Sequence, residues 1–187
     1  YIAIYRANTL IEEVADLDGA TADAVARITA EAKFIRALSH YHVVRIWALP
    51  YGYTSDNSHL GIPLKVSADQ TPQMRATVGD VYAQIEQDLL DAEADLPASN
   101  GIFANQMAAK ALLAKVYLEM GDFANAKTKA AEVINSGTYS LDPLLTNRFA
   151  DHANANLPAE FIFTLVSTNE SSATDTIVDE RGRGFTW

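Results

Sequence analysis

The run AAKALLAKVYLEMGDFANAKTKAAEVINSG, residues 108–137, holds two amphipathic helices and the turn between them. From about Asn105 to Met120, Ala109, Leu112, Leu113, Val116, Tyr117 and Met120 recur at spacings of three and four and form one apolar face. Small Ala108, Ala111 and Ala114 lie on another face, where a second helix can approach closely. Gly121 can take the left-handed conformation that closes a helix, and Asp122 can cap the next one. That second helix turns Phe123, Ala126, Ala130, Val133 and Ile134 toward its partner. So short a link makes the pair antiparallel. Small residues and a Tyr, then Gly-Asp, then an aromatic and alanines, is the spacing of a tetratricopeptide (TPR) helix pair; an unrelated αα-hairpin is the alternative. No second copy follows at an offset of about 34 residues, so a regular solenoid is not expected.

Upstream, residues 1–16 place Ile4, Ala7, Leu10, Ile11 and Val14 on one stripe. A longer helix runs from about Ala22 to Leu49. One seam of it is Val25, Ile28, Ala32, Ile35, Ser39, His42, Ile46 and Leu49, and a second is Phe34, Ala37, Leu38, Tyr41 and Val44. A helix apolar on two faces lies between neighbours. Pro50 stops it, and residues 50–76 carry turn residues without a sustained period, which reads as a long loop. Thr77 is an N-cap with Asp80 in the first turn of a third helix, which buries Val78, Val81, Tyr82, Ile85, Leu89 and Ala92 and ends at Leu96 and Pro97. Glu160 to Thr168, EFIFTLVST, is β-branched and aromatic and reads as a short strand. The expectation is a mostly all-α bundle of antiparallel helix pairs: one domain over 1–187, with 160–187 beginning a more irregular part.

Composition narrows the function. A chain of 187 residues with 49% hydrophobic and 20% charged residues can bury a sizeable core. A net charge of -10 and a pI near 4.7 make nucleic acid and anionic lipid poor partners, since affinity for phosphate backbones comes from Lys and Arg displacing counterions. The absence of cysteine removes disulfides, thiolate catalysis and Cys-ligated metals. No run approaches the roughly 20 apolar residues of a membrane-spanning helix, and YIAIYRANTL has no signal-peptide pattern. Tyr1 opens in mid-periodicity without an initiator Met, so the chain reads as a piece of a longer protein.

Catalytic signatures fail. There is no phosphate-binding glycine loop, nucleophile elbow, dinucleotide fingerprint or paired-histidine zinc motif, and no cofactor or metal is expected. His40 and His42 are two apart on a helix and point to different sides. DNSHLG, residues 56–61, has Leu60 where a calcium loop wants an oxygen and Ser67 where it wants a bidentate Glu. Glu86, Asp88, Asp91, Glu93 and Asp95 read as a solvated helix face rather than a two-carboxylate hydrolase pair. Trp47, Tyr51, Tyr53 and His59 cluster at a helix end and in the long loop, where flat rings could stack on sugars while Asp56 and Asn57 bond hydroxyls. The alternative is that these aromatics pin the loop to the bundle.

Several blocks, in order, resemble one family. YIAIYRANTLIEEV (1–14), EAKFIRALSHYHVVRIWALPYG (31–52) followed by GIPL (61–64), TVGDVYAQIEQDLLDAEADLP (77–97), and the 108–137 hairpin with NSGTYSL (135–141) resemble segments of the SusD/RagB family. Glu160-Phe161-Ile162-Phe163 is similar to its next strand. The resemblance implies an outer-membrane lipoprotein, anchored through an N-terminal cysteine at the cell surface. It would sit over a SusC-like TonB-dependent transporter and hand it oligosaccharides or related nutrients without chemistry of its own. As expected of a piece of a longer protein, residues 1–187 do not include the family's lipidated N-terminus, and its larger C-terminal part is missing from them or drastically shortened. The family's glycan contacts vary, so none is carried across by position. A TPR-type scaffold gripping a peptide or protein partner is the second reading.

Overall fold

A computed structural model of the chain describes residues 1–144 and 159–165. The elements are α1 (Ile2–Glu13), which runs into a 3-10 turn at Val14–Asp16, α2 (Ala22–Trp47), β1 (Leu60–Pro63), β2 (Arg75–Thr77), α3 (Val78–Asp95), α4 (Gln106–Met120) and α5 (Phe123–Asn135). Side-chain caps set four of the five helix starts: Thr21, Thr77, Asn105 and Asp122 each accept the backbone N–H three residues on. Gly121 closes α4 in the left-handed conformation, φ 78°, and Asp122 then donates its N–H back to the Tyr117 carbonyl. A Cβ at Gly121 would meet nothing within 4 Å. The cost of Gly121→Ala is therefore conformational, about 1 kcal/mol, read as a lower midpoint in urea unfolding with unchanged slope.

Successive helices pack as neighbours, and α2 lies between α1 and α3 as its two apolar faces require. The core is the second seam of α2 against α3 and α4: Phe34, Tyr41, Ile85, Leu89, Leu113 and Val116 are almost wholly buried. The α4–α5 pair is the helical hairpin expected from its sequence. Several assignments of facing differ from expectation, Leu10 on the α1 stripe and Leu49 beyond the end of α2 among them, both exposed. Ile46 near the end of α2's first seam is 71% exposed, on a side of the helix that no element covers among the described residues. On α5, Ala126 and Val133 are buried but Phe123 and Ile134 point outward, since among the described residues the elements it packs on lie to one side.

The loop 50–76 holds more structure than its composition shows. β1 and β2 pair antiparallel, Leu60 with Thr77 and Pro63 with Arg75, across an irregularity. Four and three residues are too short to display an alternation. Gly61 allows the close approach, for a Cβ there would stand 3.1 Å from the Ala76 carbonyl oxygen. Toward the C-terminus, the described part of the expected strand, 160–165, pairs with no strand among the described residues. Side chains fasten it instead: Phe163 packs edge-on against Phe34 at 5.0 Å, and Ile162 joins the core. Residues 166–168 of that expected strand, and 166–187 of the irregular part, lie outside the described residues.

The carboxylates of α3 are the clearest departure. Asp88 is buried and bidentate to Arg36, at 2.8 and 2.6 Å. Asp91 meets Lys33 at 2.6 Å, Glu93 meets Lys129 at 2.7 Å, and Glu86 accepts from the Tyr117 hydroxyl at 2.9 Å. Four of the five read as a solvated face are thus struts to α2, α4 and α5. The acidic side chains interleave with the apolar stripe because α3 has partners on more than one side.

Candidate functional site

One face of α1 lies along the segment that follows β1. The Tyr1 hydroxyl donates to the Pro63 carbonyl at 3.2 Å. Asn8, wholly buried, donates through Nδ2 to the Lys65 and Ser67 carbonyls at 3.2 and 2.7 Å. The Glu12 carboxylate accepts from the Ala68 N–H at 2.8 Å. From α2, Arg36 Nη1 donates to Asn8 Oδ1 at 2.8 Å and to the Val66 carbonyl at 3.2 Å, while its other edge holds Asp88. The strap 63–68 is therefore fastened by side chains, not by a strand ladder.

Beside this strap the first turn of α1, the end of α2 and the ribbon enclose a shallow groove of about 330 Å³. Tyr1, Val43, Trp47, Ile62, Pro63 and Arg75 line it. Trp47 is 73% exposed, so most of its ring is free. Arg75 donates to the Gly61 and Leu60 carbonyls at 2.6 and 2.9 Å, bracing the wall opposite.

The six residues singled out in the sequence fall into two groups. Trp47 lines the groove, and Tyr53 is 63% exposed with its ring edge to His59 at 5.5 Å. The other four fasten the loop. Tyr51 packs edge-on against Tyr82 at 5.0 Å. Asn57, at φ 55°, accepts from the Gly52 N–H at 2.6 Å, and its carbonyl accepts from Gly79 at 3.0 Å. His59 bonds Thr54 Oγ1 at 2.9 Å and the Leu49 carbonyl at 3.3 Å. Asp56 accepts from the Ser58 N–H at 3.1 Å, a bond that holds its carboxyl below the usual range. Of the six, only Trp47 lines the groove. Tyr1, Val43, Ile62, Pro63 and Arg75 were not singled out as site residues, because nothing in their spacing announces that two helices and a ribbon meet there.

Where α2, α3 and α4 meet, Glu119 accepts from the hydroxyls of Tyr41 and Tyr82 at 2.8 and 3.0 Å and pairs with Arg45 at 2.8 Å. Burial, then Glu119, raises both phenols above their ordinary pKa, so they stay protonated donors. Among the described residues no three His, Asp or Glu side chains gather as a metal site, and no helix is long and apolar enough to cross a membrane.

This architecture has known counterparts. A SusD-like family model described as "Starch-binding associating with outer membrane" matches residues 1–118. The chain belongs to the SusD-like family. Among its relatives, "SusD-like protein P25" of Formosa agariphila is 29% identical over 157 residues, covering 83% of this chain and 28% of that protein. A SusD superfamily crystal structure from Bacteroides thetaiotaomicron superposes with a TM-score of 0.75 at 31% identity, over 88% of this chain and 37% of the other. A laminarin-binding SusD-like protein superposes with a TM-score of 0.73 at 28% identity, over 89% and 36%. The chain thus spans about a third of the length of these relatives. The blocks that resemble the SusD-like family have visible tasks in this fold. Phe34 and Leu89 fill the core, Arg36 and Asp88 form the buried pair, and Gly61 to Pro63 build the groove wall.

Proposed function

We propose that this SusD-like chain is the helical part of a glycan-capturing protein displayed at the outer surface of the outer membrane. It holds an oligosaccharide without transforming it and passes it to a SusC-like TonB-dependent transporter. The family match over residues 1–118 carries this reading. The likeness to a laminarin-binding SusD-like protein supports a glucan as ligand. The free ring of Trp47, beside the braced wall Ile62–Pro63–Arg75, supplies the flat apolar face on which a pyranose stacks, and Tyr53 offers a second. The α3 carboxylates of a conceivable acid–base pair are instead bonded to Arg36, Lys33, Lys129 and Tyr117.

Titration calorimetry against laminarin and soluble starch tests this. Binding by the unsubstituted chain is expected, with no release of reducing ends. Trp47→Ala is expected to weaken it about five-fold or more, the equivalent of about 1 kcal/mol for losing one stacking face, and Tyr53→Ala less. Equal affinity in both variants would remove these rings from the site. Liberated reducing sugar would end the non-catalytic reading.

A further inference from the structure

We infer that Asn8 and Arg36 are positioning residues for the groove: they fix the strap 63–68, and through it the wall that faces Trp47. This rests on the glycan-capture reading above. The carbonyls of residues 65, 66 and 67 all accept from these two side chains, and Asn8 and Arg36 are bonded to each other. Arg36 is in turn clamped by Asp88 on α3, so the strap is referenced to three helices at once. Pro63, the last residue of β1, is both a wall of the groove and the start of the strap. With no ladder beyond Pro63, the middle of the strap is held chiefly by Asn8 and Arg36, with Tyr1 and Glu12 bonding its two ends, and a shift of the strap moves Ile62 and Pro63 relative to the Trp47 ring. A site held by such a supporting shell loses affinity when the shell loosens, even though no contacting residue has changed.

Asn8→Asp isolates the effect. The aspartate keeps an oxygen for Arg36 Nη1 but puts an acceptor where Nδ2 donated to the Lys65 and Ser67 carbonyls. Glu12→Ala is the milder companion: it removes only the bond to the Ala68 N–H, from an exposed side chain that leaves the buried pair untouched. Tryptic cleavage after Lys65, followed by mass spectrometry, reads the strap directly. Calorimetry with laminarin and soluble starch, well below each variant's thermal midpoint, reads the groove.

The expected result is cleavage at Lys65 about ten-fold faster or more in Asn8→Asp, with affinity reduced about five-fold or more, and smaller changes of the same sign in Glu12→Ala. Unchanged cleavage in both variants overturns the inference. So does faster cleavage with unchanged affinity, which would make the strap a purely structural feature. If the unsubstituted chain binds neither polysaccharide while cleavage changes as expected, the glycan reading falls and the hold of Asn8 on the strap stands.

Discussion

Asp88→Ala is expected to destabilise the fold by about 3–5 kcal/mol, a large part of what a domain of this size has. Asp88 and Arg36 are nearly inaccessible, with side-chain exposures of 1% and 7%. Removing the carboxylate leaves a buried guanidinium without its counter-ion, and leaves Gln84 Nε2, which donates to Asp88 at 2.9 Å, without its acceptor. The penalty comes from the orphaned charge rather than from the attraction lost. The double variant Arg36→Met with Asp88→Leu should therefore recover much of the loss, as buried ion pairs replaced by apolar residues of similar volume commonly do. It should not recover all, because Asn8 Oδ1 and the Val66 carbonyl lose their donor as well. Urea unfolding of the two variants measures both quantities. A single-variant loss under about 1 kcal/mol, or a double variant no better than the single, would show that the pair is not the source of stability described here.

How much of this was legible in the sequence depends on whether the information is local. Helix starts and stops were legible because caps act over three residues: Thr77 before Val78, Asn105 before Gln106, Gly121 and Asp122 between α4 and α5. Core faces of α3 and α4 were legible for the same reason, since Val81, Ile85 and Leu89 on one and Ala109, Leu113 and Val116 on the other recur at spacings of three and four. What escaped was non-local. Arg36 and Asp88 are 52 residues apart, and Lys33 and Asp91 are 58 apart, so the acidic side chains of α3 looked like solvent-facing charge. Strands of three and four residues gave no period to read in the loop, and the outward turn of Phe123 and Ile134 depends on what does or does not cover α5. For the candidate site the sequence supplied the aromatic cluster but could not divide it. Trp47 and Tyr53 offer rings to solvent, whereas Tyr51, Asn57 and His59 bond the loop to itself and to α3.

Acid should weaken the fold through His40 before it reaches the carboxylates. His40 lies wholly buried on the α1-facing side of α2, one turn beyond Arg36; neither ring nitrogen makes a hydrogen bond of full geometry among the described residues, and the Arg36 carbonyl one turn back favours the charged ring too weakly to offset burial. Burial first, and then the neighbouring Arg36 charge, lower its pKa to about 4 from an ordinary 6.5. The sign follows from which state holds the proton. Between pH 6.5 and about 4 the unfolded chain is protonated and the folded one is not, so stability falls with pH across that window and levels off below it. The full loss is about 3–4 kcal/mol, from a difference of about 2.5 pH units at about 1.4 kcal/mol each. His42, also lowered by burial and by Arg45 and Lys115, adds in the same direction. Asp91 acts later: burial opposes its charge, but the bonds from Lys33 and Gln87 prevail and hold it below the carboxylate range, so its contribution is lost only at lower pH. His40→Leu deletes both buried nitrogens at similar volume. Its stability advantage over the unsubstituted chain should be about 1 kcal/mol at pH 7 and grow by about 3 kcal/mol by pH 4 in denaturant melts. Curves that stay parallel over that range would mean that His40 takes up its proton inside the fold near pH 6.5, with a partner for its charge.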